Sequence, residues 1–227
     1  MQIRRWGSVG VASMMAVWWI FAGSSARAGD WKTTAYAISK TTISLQLPQK
    51  DSADFSVYRA RTQVDVNDPL AYEGSSSILV DQKYWDYFRF PKFGPVGTLQ
   101  YQFLVRMVPK DQGFDPKDLD AVGKAAMAQR VQGWEQVRSE TGEKRGKSGV
   151  PAIASDFGVV KIGDMSWFSY RTIRSSPTHC YVFGLDDTHY VELAFTYINN
   201  SLDEKENWKE RAGKDVEKIL ELVRVSQ

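Results

Sequence analysis

Cysteine and histidine are the side chains best suited to build a nucleophile or hold a metal. In this 227-residue chain all of them fall in one stretch, residues 178–189, THCYVFGLDDTH. It holds the single cysteine, Cys180, and both histidines, His179 and His189. A thiolate–imidazole dyad needs its partners within hydrogen-bond reach, about 3 Å. The alternation on either side of Asp186-Asp187 predicts a hairpin with that pair at its turn. Gly184 then faces His189, Val182 faces Val191, and Cys180 faces Leu193. Cys180 and His189 share a face but lie four residues apart along the ladder, roughly 13 Å at 3.3 Å per residue. His179 neighbours Cys180 in sequence and points to the opposite face. Neither a dyad nor a shared metal site follows, and Cys180 reads as a small buried apolar residue. One carboxylate interrupts the hairpin. Glu192 sits at a strand centre, opposite Tyr181 and diagonal to His179. A carboxylate so placed can act as an acid or base, so Glu192, His179 and Tyr181 are the candidates for a dispersed hydrolase-type site. The competing reading is a carboxylate that accepts a structural hydrogen bond from a tyrosine.

The second candidate is a surface. Residues 83–97, KYWDYFRFPKFGPVG, are the most aromatic segment of the chain. As a strand it carries Tyr84, Phe88 and Phe90 on one face and Trp85, Tyr87 and Arg89 on the other. Tryptophan, tyrosine and arginine are the residues enriched at interface hot spots. Trp85, Tyr87, Arg89 and Phe93, the last at a Gly-Pro corner, are therefore the predicted partner-binding residues. A strand buried on both faces would produce the same run. Asp65, Asn67 and Asp68 lack the glycine and closing glutamate of a calcium loop. The chain has no glycine-rich phosphate loop, no nucleophile elbow and no pair of cysteines. No catalytic residue, cofactor or metal is assigned from sequence.

These residues must be positioned by a predominantly antiparallel framework. Strand-like alternation covers 43–47, 58–66, 78–80, 84–90 and 99–107. The period then changes. Asp115-Pro116 has the chemistry of a helix start, and three-four spacing runs to about Thr141-Gly142. A polar, basic loop, EKRGKSGV, follows. Strands at 157–162 and 167–173 lead into the hairpin at 180–198. Ser201-Leu202-Asp203-Glu204 matches a capping box and opens a last helix striped with Trp208, Ala212, Val216, Ile219, Leu220 and Val223. The hairpin is apolar on both faces, so both need cover. The two amphipathic helices supply it, one per face. The expected fold class is α+β, an antiparallel sheet covered by helices on both faces.

The first 28 residues have the plan of a secretory signal peptide. Arg4-Arg5 precede an apolar run from Val9 to Ala22, and Ala26-Arg27-Ala28 precedes Gly29. The run is shorter than the roughly 20 residues of a membrane span. The expected mature protein is a single domain, 29–227, periplasmic or secreted, cleaved after Ala28, with no stable membrane span. The chain has 29 basic and 27 acidic residues. The leader takes three arginines and no acid with it, leaving a formal charge of −1. That balance gives no reason to expect a nucleic-acid partner. Export favours disulfides, but a single cysteine cannot form one internally.

The early strand ISLQLP, the meander FSYRTIR–HCYVFGL–HYVELAFTYI and the ending DVEKILELVRVS, in that order, resemble the layout of the Mog1/PsbP-like family. The resemblance implies an α/β/α sandwich that serves as a binding or assembly module, and it carries over no catalytic residue. The expected function is thus a non-enzymatic binding or assembly protein of the bacterial cell envelope that contacts another envelope or secreted protein. The enzyme reading around Glu192 is the alternative.

Overall fold

The computed structural model describes residues 31–49, 58–89, 94–108, 114–141, 157–172, 176–200 and 207–227. The leader, Phe93 and the expected capping box at 201–204 lie outside them. Thr42, Ser44 and Gln46 alternate with Ile43, Leu45 and Leu47, so this strand can bury one face only. The chain meets that requirement with a second sheet. Strands β1 (Trp31–Ile38) and β2 (Thr41–Pro48) form a hairpin, joined at one edge by β3 (Gln63–Val64) and at the other by the C-terminal β10 (Arg224–Ser226). The larger sheet has six antiparallel strands in the order β4-β5-β9-β8-β7-β6. They are β4 (Ser77–Tyr87), β5 (Gly97–Met107), β6 (Gly158–Ile162), β7 (Met165–Arg171), β8 (Thr178–Gly184) and β9 (His189–Asn199). The helices are α1 (Leu119–Thr141) and α2 (Trp208–Glu221), with a 3-10 turn at Pro69–Tyr72.

The expected α/β/α sandwich is therefore corrected. The protein is mostly β. Its small sheet and α2 together cover one face of the large sheet, and α1 lies on the other, against β6, β7 and β8. The main core sits between the sheets and packs Tyr36, Ile43 and Leu45 against Trp85, Tyr101, Phe103 and Phe195. A smaller core under α1 gathers Val122, Ala126, Phe168, Tyr170, Cys180 and Val182.

Other boundaries moved for local reasons. The predicted strands at 78–80 and 84–90 are one strand, β4, with a bulge between Leu79 and Asp81. The bulge brings Asp81 onto the inner face, where Tyr36 Oη donates to its carboxylate at 2.6 Å. The alternation at 58–66 yields a strand only at Gln63–Val64. Helix α1 starts at Leu119, with the Asp118 carboxylate accepting from Asp120 N–H and Ala121 N–H. Asp115 instead organises the preceding turn by accepting from Lys117 N–H.

Helix α2 crosses the inner face on a diagonal fixed at both ends by close approaches. At its start Trp208 lies on Gly97, where an added Cβ would fall 2.2 Å from the indole. Trp208 Nε1 also donates to Asn199 Oδ1 at 3.0 Å. At its end the Glu221 backbone rests on Gly163, at φ +60° in the β6–β7 turn. The stripe of Trp208, Ala212, Val216, Ile219 and Leu220 is buried, as its spacing predicts.

Candidate functional site

The β8–β9 register decides which polar groups meet. Leu185 N–H and Asp186 N–H both donate to the His189 carbonyl, at 2.9 and 3.2 Å. Two residues opposing one is the mark of a bulge, and it slips the ladder by one position. Gly184 pairs with Tyr190, Val182 with Glu192 and Cys180 with Ala194. Glu192 is therefore not opposite Tyr181. It shares the α1 face with Cys180 and Tyr170, while His179 and Tyr181 lie on the other face, toward α2. The three candidate enzyme residues are divided by the sheet and do not converge. Cys180 is buried as expected, and His189 at the turn is paired with Asp186 at 2.8 Å. Among the described residues no group of three or more His, Cys, Asp or Glu side chains is placed to hold a metal.

Glu192 is wholly buried, at 0 % exposure, and fully engaged. Tyr170 Oη donates to Oε2 at 2.7 Å, and Arg106 Nη2 donates to Oε1 at 3.2 Å. Arg130, from α1, donates to Oε1 as well. Burial pushes this carboxyl up, but Arg106 and Arg130 beside it outweigh that and hold it at about 2. Burial, with Glu192 alongside, pushes the Cys180 thiol up to about 12. A carboxylate held ionised between two guanidinium groups is a poor base, and a thiol that high is a poor nucleophile. This cluster ties α1 to the sheet.

The open site is on the other face. The diagonal of α2 leaves one corner of the inner face uncovered by helix, at the ends of β7 and β8. A groove of about 570 Å³ lies there. The strand side presents Arg171, Pro177, His179, Tyr181 and Tyr197, and Ile162 closes the far end. The helix side presents Lys209, Gly213, Val216, Glu217 and Leu220, positions that recur on one face of α2. Arg171 and His179 are cross-strand partners. The His179 and Tyr197 rings meet at 5.0 Å and 52°. Burial and the Arg171 charge lower the His179 pKa, so its ring is neutral near pH 7. Burial raises the Tyr181 and Tyr197 hydroxyls, so both stay protonated donors. Neither hydroxyl, nor the His179 ring, has a hydrogen-bond partner among the described residues.

Gly213 bears on the same groove. A glycine inside a helix costs roughly 1 kcal/mol relative to alanine. Here an added Cβ would meet nothing within 4 Å. No neighbour among the described residues requires the missing side chain, whereas Trp208 requires Gly97. Its bare surface widens the groove at this point of α2. Gly133, likewise surrounded by open space, sits on the exposed half of α1.

The aromatic surface expected at 83–97 is not built by its two principal members. Trp85 is 4 % exposed and Tyr87 8 %. Trp85 stacks on Tyr101 at 5.7 Å and donates to the Pro48 carbonyl. Tyr87 Oη donates to Asp215 Oδ2 at 2.8 Å, fastening α2 to β4. Arg89 is exposed and has an interaction partner of its own. Sequence reasoning reached His179 and Tyr181 but missed Tyr197, Arg171 and the α2 wall. Only the exposed Lys209 and Glu217 and the half-buried Gly213 between buried stripe positions could have hinted at that wall.

No family model matches the chain, and no curated protein matches its sequence. Among the solved structures that resemble it weakly are two bacterial proteins. One is LpqN of Mycobacterium tuberculosis, described as involved in cell envelope biogenesis: 9% identity, 88% of this chain and 93% of that one, TM-score 0.37. The other is a protein of Bacteroides thetaiotaomicron: 13% identity, 82% of this chain and 45% of that one, TM-score 0.31. The chain thus spans under half the length of the Bacteroides protein. No helix among the described residues is long and apolar enough to cross a membrane. Likenesses of this size identify neither a fold family nor an activity, and the groove must be interpreted from its own chemistry.

Proposed function

We propose that the chain is an exported, non-enzymatic binding protein of the bacterial cell envelope, with the groove beside α2 as its ligand seat. One observation carries the binding reading: a concave site of about 570 Å³ in which two phenols and an imidazole converge, with no hydrogen-bond partner among the described residues, over an apolar floor. Pockets of this size, mostly apolar with a few convergent polar groups, are the usual form of small-ligand sites. Catalysis is disfavoured because the described residues of the groove place no nucleophile–base pair, and the buried carboxylate is spent in ion pairs behind the sheet. A protein partner docking on Trp85 and Tyr87 is disfavoured by their burial. Export rests on the leader pattern at 1–28. N-terminal sequencing of the protein recovered outside the cytoplasm is expected to begin at Gly29.

The binding reading is tested by screening a small-molecule fragment library by amide NMR against the wild type and Gly213→Trp. Hits should cluster on His179, Tyr181, Tyr197 and Gly213, and should vanish in the variant while its spectrum stays that of a folded protein. Hits that scatter over the surface, or persist when the indole fills the groove, overturn the reading.

A further inference from the structure

We infer that the groove takes an amphipathic monoanion, a carboxylate head on an apolar body, with the head at the Lys209–Arg171 end and the body running toward Val216, Leu220 and Ile162. The inference rests on the groove being the binding site.

Its polarity follows from topology. Arg171 pairs with His179 across β7 and β8, and Tyr197 N–H bonds the Pro177 carbonyl, so these residues share one end of the sheet. Lys209 joins them because it opens α2, and the neighbouring Trp208 is tied to Asn199 at that same end of β9. Glu217 lies eight residues further along α2, about 12 Å at 1.5 Å per residue. Val216 and Leu220 are buried beside it, and Ile162 is half-buried. The groove is thus basic at one end and apolar at the other, with one acid well away from the basic end.

The hydrogen-bond inventory agrees. Among the described lining residues, Arg171, Lys209, the two phenols and the imidazole N–H are donors, and Glu217 is the one charged acceptor. Donor-rich sites select acceptor-rich heads. Charge sets the head's valence. Arg171 already has an interaction partner, and the Lys209 ammonium lies 6.0 Å from the Trp208 ring. Two cations among the described lining residues, each with a contact of its own, and neutral donors around them suit a single negative charge better than a phosphate dianion. Gly213 lies one turn from both Lys209 and Glu217, so the missing side chain leaves room where the body would cross the helix.

The test uses the protein as cells produce it and four ten-carbon probes below their aggregation limits: decanoate, decanol, decyl phosphate and decyltrimethylammonium. Affinities are read by calorimetry and the site by amide NMR. Decanoate should shift the signals of Tyr181, Tyr197 and Gly213 and bind at least about tenfold more tightly than decanol or the ammonium probe. Lys209→Gln should remove most of that advantage and leave decanol binding unchanged. Decanol equal to decanoate at the groove, or decyl phosphate tighter than decanoate, would sink the carboxylate assignment and leave the groove as a binding site. If no probe shifts groove signals, and the fragment screen finds no groove ligand either, both readings fall together.

Discussion

The two faces of β8 carry two polar clusters, and they differ in one respect. Under α1, Arg106, Arg130 and Tyr170 all engage Glu192, and the carboxylate is sealed. Under α2, His179, Tyr181 and Tyr197 converge on a groove and satisfy nothing among the described residues. Cys180 and Tyr181 are adjacent in sequence, yet one belongs to the sealed cluster and the other to the open groove. The contrast teaches that a perturbed titratable group and a functional site need not coincide. The carboxyl held at about 2 is a structural fastening. The groove is marked by unused hydrogen-bonding capacity.

The largest effect should come from breaking the sealed side. Glu192→Gln leaves two guanidinium groups facing a neutral amide, and removing one partner of a buried ion pair costs about 3–5 kcal/mol. Urea unfolding should show that loss. A loss under about 1 kcal/mol would mean that the cluster is hydrated rather than sealed.

Acid comes next. Glu192 has a folded pKa depressed from 4.5 to about 2. Its contribution is present above the unfolded value and is lost as pH falls through the folded one. The window is therefore about pH 4.5 down to about 2, with a loss of order 3 kcal/mol at 1.36 kcal/mol per unit. Glu192→Gln should remove this part of the pH dependence, and parallel curves for the two proteins would refute the assignment.

On the open side the effects are smaller and of opposite sign. Gly213→Ala should stabilise α2 by roughly 0.5–1 kcal/mol, the helix-propensity gain with no clash to offset it. Destabilisation would show that Gly213 is required by the fold and would remove it from the argument for a ligand. The smallest expected effect is a null one. Cys180 in the folded protein should resist thiol reagents at pH 8 and react only on unfolding, since it is fully buried with its thiol near 12. Rapid native labelling would open the sealed side.

Much of the local structure was legible in the chain. The alternation at 43–47 and 99–107, the α2 stripe and the burial of Cys180 follow from side-chain period and polarity. The failures share a cause. Where both faces of a strand are apolar, alternation assigns two faces but does not say which partner residue belongs to which. The β8–β9 hairpin is such a case, and the bulge at Leu185–Asp186 turned a one-residue slip into a different set of neighbours for Glu192. Trp85 and Tyr87 look the same in sequence whether a second sheet covers them or solvent does.

By itself, then, the sequence determined most strands of the large sheet, β2, the buried stripe of α2 and the leader pattern, because these depend on residues near one another in the chain. Tertiary structure alone decided the rest. Arg106 and Arg130 reach Glu192 across separations of 86 and 62 residues. The groove exists because Gly97 and Gly163 admit the two ends of α2 and so set its diagonal. Such juxtapositions depend on packing between distant segments, which leaves no period in the sequence from which to read it.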